Sequence, residues 1–169
     1  SATKTYRQTV GKHYKTMRQI QTLIMILALS AKTFACECPE YNLEELDKVS
    51  YEWSDVILIG EIIKTGTDYQ IKVIEVLKWK IDEEIITGKT IGDSEEFNNC
   101  TFYPNRKGEY LLYLKKIVIN GMTYYYSSEC LGSRLLNLDY SPVSLDTEKS
   151  KAEIISETNK WINKLRKEK

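Results

Sequence analysis

Four cysteines, Cys36, Cys38, Cys100 and Cys130, are the residues of this chain whose type and spacing could do chemistry. A cysteine can supply a nucleophilic or metal-binding thiolate, or it can pair into a disulfide. The pattern C-x-C, a long gap, C, another long gap, C matches no zinc-ribbon or zinc-finger spacing. The single histidine, His13, precedes all four cysteines. No metal or cofactor of the protein's own is therefore expected. Disulfides remain. A bond between Cys36 and Cys38 would close a very small, strained ring. Each is expected to join one distant partner, Cys100 or Cys130, and the spacing leaves the choice between those pairings open. Two such bonds would fix one short segment to the body twice within three residues. Chain ends are normally mobile, so double fixing points to a segment whose position matters.

The residues before Cys36 say why it could be an end. Met17-Arg18 precedes the apolar run Leu23-Ile24-Met25-Ile26-Leu27-Ala28-Leu29, and Ser30-Ala31-Lys32-Thr33-Phe34-Ala35 follows. A basic start, a short apolar stretch and a small residue at the exit read as a secretory signal peptide, with Met17 as the start and residues 1–16 as an upstream extension. The run is too short for a stable membrane span. Cleavage after Ala35 would make Cys36 the first mature residue. A lipoprotein signal would also end before a cysteine, but the charge of Lys32 and the bulk of Phe34 fit it poorly. The chain is expected outside the cell or in the periplasm, where disulfides persist.

Charge supports the division. Residues 1–35 carry six basic side chains and no acidic one, which leaves 18 basic against 24 acidic in residues 36–169. An acidic body without a basic stripe excludes nucleic acid as the expected partner. With no histidine beyond residue 35 and the cysteines assigned to disulfides, catalytic options reduce to carboxylates. These form no recognisable pair, so no enzyme is expected.

The elements that must position the cysteines follow from periodicity. Asn42 with Glu45 three positions on is a capping-box pattern. Leu43, Leu46, Val49 and Trp53 then recur at helical spacing, predicting a short helix over residues 43–54. Residues 56–63 form a β-branched run with Gly60 inside it, a buried strand with a bulge or sharp bend. Thr65-Gly66-Thr67 makes a turn, and residues 69–80 alternate as a second strand. Residues 85–87 and 89–91 read as a third, interrupted strand. Residues 109–114 begin a fourth, Asn120-Gly121 is a preferred hairpin turn, and residues 122–129 return towards Cys130. Residues 146–169 predict a C-terminal amphipathic helix with Ile154, Ile155, Trp161, Ile162 and Leu165 on one stripe. The expected class is mainly β: a closed five-stranded barrel of the OB type, flanked by a short N-terminal and a C-terminal helix, in one domain over residues 36–169.

Cys36-Glu37-Cys38-Pro39 thus opens a series continued by Ser54-Asp55-Val56-Ile57-Leu58-Ile59-Gly60-Glu61-Ile62, Val76-Leu77-Lys78-Trp79-Lys80, Cys100, Gly108-Glu109-Tyr110-Leu111-Leu112-Tyr113 and Ser128-Glu129-Cys130-Leu131-Gly132-Ser133-Arg134-Leu135. In this order the series resembles the netrin-like modules, specifically the N-terminal domain of tissue inhibitors of metalloproteinases and their small bacterial relatives, over roughly residues 36–136. The resemblance implies disulfides Cys36–Cys100 and Cys38–Cys130. It also implies a metalloprotease inhibitor in which the free α-amino group and carbonyl oxygen of Cys36 chelate a partner's catalytic zinc. Glu37 would enter the partner's primary pocket, Cys38 and Pro39 would continue the ridge, and Asn98 and Asn99 would lie beside it. Glu37 stands where the animal inhibitors carry a small hydroxyl residue, and a carboxylate needs a paired, polar pocket. The alternative is a non-inhibitory extracellular protein-binding module that uses another surface, such as the strand at Tyr124–Tyr126. In either case a monomer is expected.

Overall fold

The chain divides between Ala35 and Cys36. A computed structural model describes residues 38–91, 100–136 and 150–168, all in the second part. The fold is mainly β. In chain order it runs α1 (Leu43–Trp53), β1 (Val56–Lys64), β2 (Asp68–Lys78), β3 (Ile85–Lys89), β4 (Gly108–Ile119), β5 (Met122–Tyr126), β6 (Arg134–Leu135) and α2 (Lys151–Glu168). The strands form one mixed sheet in the order β1-β2-β3-β5-β4-β6, and β1 pairs also with β4. The pairings of the first five strands thus return to their start. All are antiparallel except β3 with β5, which meet in parallel at Gly88 and Tyr125.

Burial on both faces explains the apolar β1. Its residues alternate between two buried faces. Val56, Leu58 and Ile62 pack with Tyr69, Ile71, Ile86, Phe102, Leu112 and Tyr125. Ile57 and Ile59 pack on the opposite face with Leu77, Leu111, Tyr113 and, from α2, Ile162 and Leu165. A strand buried on both sides reads as a continuous apolar run. Gly60 lies at a register shift between β1 and β2, the expected bulge. A Cβ there would come within 2.5 Å of the Ile71 side chain. Asn120 and Gly121 both adopt positive φ, 52° and 78°, the twist-matched hairpin turn. The third strand runs unbroken over Ile85–Lys89 and stops before Thr90 and Ile91, and the ring of Tyr69 fills the space a side chain at Gly88 would need.

The first helix is capped as its sequence predicts. The Asn42 side chain accepts from the Glu45 N–H at 3.0 Å, and the Glu45 carboxylate accepts from the Asn42 N–H at 3.3 Å. Lys78 closes the other end of α1, its Nζ donating to the carbonyls of Tyr51 and Ser54 at 2.6 Å each. The buried face of α1 is Leu43, Leu46, Asp47 and Ser50, not the predicted stripe through Val49 and Trp53. The helix is rotated because Asp47 and Ser50 find buried partners. In α2 the buried residues are Thr158, Ile162 and Leu165. Ile154, Ile155 and Trp161 are half-buried, and residues 146–149 of the predicted helix fall outside the described residues.

The Tyr69 hydroxyl is buried without a hydrogen-bond partner among the described residues. Burial pushes its pKa well above the ordinary 10.0. On unfolding, the hydroxyl would ionise near that ordinary value. The stability tied to its neutral form is therefore complete below about pH 10 and lost as pH rises further. Tyr69→Phe removes an unsatisfied polar group and should raise stability near neutral pH by about 1 kcal/mol. It should also flatten the alkaline loss. Thermal unfolding near neutral pH and above pH 10.0 measures both; a variant that melts earlier at neutral pH would refute the assignment.

Candidate functional site

The site is built where the segment after the predicted cleavage point meets two others. Cys38 is half-buried and bonded to Cys130, 92 residues away. Pro39 follows it, exposed. Cys100 is 8% exposed, and its sulfur and those of Cys38 and Cys130 all lie within 4.8 Å of one another. Thus Cys38, Pro39, Cys100 and Cys130 come together. Cys36, Glu37, Asn98 and Asn99 lie outside the described residues, as does the predicted bond of Cys36.

Hydrogen bonds hold Cys100 against Cys130. Thr101 pairs with Ser128 in an antiparallel bridge. The Glu129 N–H donates to the Cys100 carbonyl at 2.7 Å, and the Phe102 N–H donates to the Ser127 carbonyl at 2.9 Å. The Ser128 hydroxyl donates to the same Cys100 carbonyl at 2.8 Å and accepts from the Cys130 N–H at 3.2 Å. Beyond Tyr126 the predicted fifth strand therefore leaves β4 and serves this junction instead. Glu129 is half-buried, and burial pushes its carboxyl above the usual range. None of the described cysteines is a free thiol. Disulfide sulfurs are poor metal ligands, since metals take thiolate, so this three-sulfur cluster reads as a structural clamp.

A second polar cluster ties the clamp's surroundings to both helices. Arg134 Nη1 and Nη2 donate to Asp47 Oδ1 and Oδ2 at 2.6 and 2.9 Å, with both side chains at most 3% exposed. Nη1 also donates to the Gly132 carbonyl at 2.8 Å, and Nε donates to the Thr158 hydroxyl at 2.9 Å. Tyr113 donates to Asp47 Oδ1 at 2.7 Å. Burial opposes the Arg134 charge, but the Asp47 carboxylate more than offsets this and leaves its pKa raised. Burial, then the Asp47 charge, raises the Tyr113 hydroxyl well above 10.0. Nearby, the Ser50 hydroxyl accepts from the Gly132 N–H at 2.8 Å, and the Ser127 and Ser133 hydroxyls pair at 2.9 Å. Sequence spacing carries no signal for these long-range partners. Gly132-Ser133-Arg134, directly after Cys130, is where this cluster and the clamp join.

The alternative surface at Tyr124–Tyr126 is corrected. Tyr125 and Tyr126 are buried, Tyr126 edge-on to Trp53. Among the described residues the most exposed aromatic is Trp79, 74% exposed just past the end of β2 with φ 72°, ahead of Tyr103 at 48%. Among the described residues no helix is long and apolar enough to cross a membrane. No family model matches the chain, and comparison with curated proteins and with solved structures also finds no match.

Proposed function

We propose that this chain is a secreted inhibitor-like domain of the tissue-inhibitor type, a monomer acting on a zinc metalloprotease. In this reading the ring of pairings is a closed five-stranded OB-type barrel, and Cys36 pairs with Cys100 beside the Cys38–Cys130 bond. The observation that carries it is the three-sulfur cluster. Cys36 lies two residues before Cys38, a reach of about 7 Å along the chain. Cys38's sulfur already lies within 4.8 Å of the Cys100 sulfur, which brings the second bond within range.

With both bonds formed and the signal peptide removed, Cys36 would present its α-amino group and carbonyl oxygen as a rigid chelate. Such a pair can replace the water at the open position of a catalytic zinc. Glu37 would fill the adjoining pocket, whose charge must pair with a carboxylate. Pro39, Asn98 and Asn99 would widen the contact. Rigid fixing lowers the ordering cost of association.

A small hydroxamate that occupies the partner's zinc should compete with the mature chain for binding to the protease. Simultaneous binding of the two would refute zinc capping. One observation favours a second reading, a non-inhibitory extracellular binding module. Trp79 is an exposed indole on a backbone conformation that bulky residues rarely adopt, and exposed tryptophans are frequent anchors of interfaces.

A further inference from the structure

We infer that Met122 is a site of reversible sulfur oxidation, with the Tyr124 hydroxyl placed to hold the sulfoxide that forms. The chain has three methionines, and Met17 and Met25 precede residue 36. Cys38, Cys100 and Cys130 are all held in disulfides. Among the described residues Met122 therefore carries the one sulfur that is not already oxidised. It is also accessible. Met122 opens β5 directly after the Asn120-Gly121 turn, opposite Ile119, and is 58% exposed.

A specific contact distinguishes Met122 from an ordinary surface methionine. The Tyr124 hydroxyl, two residues on along the same face of the strand, donates to Met122 Sδ at 3.8 Å. The ring is held in place. Tyr124 sits opposite Ile117. Lys89 Nζ lies 4.8 Å from the ring centroid and is bonded to Asp68 Oδ1 at 2.8 Å. A thioether is a weak acceptor, so the contact contributes little in the reduced protein. A sulfoxide oxygen is a strong acceptor and projects one bond length from the sulfur. A hydroxyl 3.8 Å from that sulfur can meet it at an ordinary O–H···O distance of about 2.7–2.8 Å.

The reaction is an oxygen transfer, and the oxidant is a hydroperoxide. A lone pair on Met122 Sδ attacks the outer oxygen of the peroxide. The S–O bond forms, the O–O bond breaks, and its electron pair leaves on the inner oxygen. The proton of the transferred hydroxyl passes to that leaving oxygen, which departs as an alcohol, or as water when the oxidant is hydrogen peroxide. Sulfur is oxidised by two electrons and the peroxide is reduced by two. Tyr124 keeps its proton throughout and donates to the new oxygen. With the ring fixed and Met122 anchored at the turn, one sulfoxide epimer directs its oxygen to the hydroxyl better than the other. Methionine oxidation disrupts cores because an apolar side chain turns polar. Here the side chain is exposed and the new oxygen has a donor. Oxidation makes the hairpin tip, where Val118 is also 62% exposed, more polar while the sheet beneath is kept. A methionine sulfoxide reductase restores the thioether.

The test uses the full chain with its disulfides intact, its Tyr124→Phe variant, and hydrogen peroxide as the oxidant. After treatment near neutral pH the proteins are digested and mapped by mass spectrometry. The Met122 peptide is then treated with two reductases, each specific for one sulfoxide epimer. The natural chain should carry one epimer in excess by about five to one, the factor that a single net hydrogen bond contributes. Tyr124→Phe should carry nearly equal amounts. The oxidised natural chain should keep its thermal midpoint, whereas oxidised Tyr124→Phe should melt below its own untreated form. A Met122 that takes up no oxygen overturns the site. Equal epimers in the natural chain, or the same excess in Tyr124→Phe, overturn the role of the hydroxyl, as does an equal fall in midpoint for both proteins.

Discussion

Arg134→Leu should cost about 3–5 kcal/mol of folding stability, the loss expected when one partner of a buried ion pair is removed. The reason is asymmetry. With Arg134 gone, the Asp47 carboxylate stays at 3% side-chain exposure and, among the described residues, keeps the Tyr113 hydroxyl as its donor. The Gly132 carbonyl and Thr158 hydroxyl also lose a buried donor. Removing both charges with Asp47→Leu and Arg134→Leu should recover most of the loss, because apolar replacement of a whole buried pair is often neutral or stabilising. Urea unfolding of the two single variants and the double variant measures the coupling. A single-variant loss below about 1 kcal/mol, the range of exposed pairs, would contradict the buried network.

The second large effect concerns the clamp. Replacing Cys38 and Cys130 with serine opens a loop of 92 residues. The chain-entropy estimate for that length is about 4–5 kcal/mol, an upper bound because the proposed Cys36–Cys100 bond already shortens the loop. The segment 100–102 should remain attached through its hydrogen bonds to 127–129, while the residues around Pro39 lose the nearer of the two covalent holds proposed for them. Hydrogen exchange should therefore rise most before α1, with β1 and β4 still the slowest to exchange. Uniformly faster exchange across β1 and β4 would mean that the bond supports the sheet itself rather than the terminal segment.

The parts of this fold that were legible in the sequence depend on short stretches of chain. The Asn42–Glu45 capping pair, the Gly60 bulge and the Asn120-Gly121 turn each carry their cause within a few residues. The helices and four of the strands follow from periodicity for the same reason. Features set by distant partners were not legible. Val49 and Trp53 looked apolar and therefore inward, but Asp47 and Ser50 turn inward because Arg134 and Gly132 await them, 87 and 82 residues away. β6 is two residues long, too short to show any period. The cysteine spacing alone left two pairings open. The resemblance chose Cys38–Cys130, and that bond is present. At the site, the roles of Ser127, Ser128 and Ser133 were invisible because a serine's neighbours, not its spacing, decide what its hydroxyl bonds.

The proposed inhibitory mechanism stands or falls with the free amine of Cys36. Inhibition of zinc metalloproteases should be compared between the chain that begins at Cys36 and one extended by a single alanine before it. The extension should weaken inhibition by at least about 30-fold, equivalent to about 2 kcal/mol for a lost anchor, with the thermal midpoint unchanged. Equal inhibition by the extended and mature chains would contradict zinc capping by the terminus.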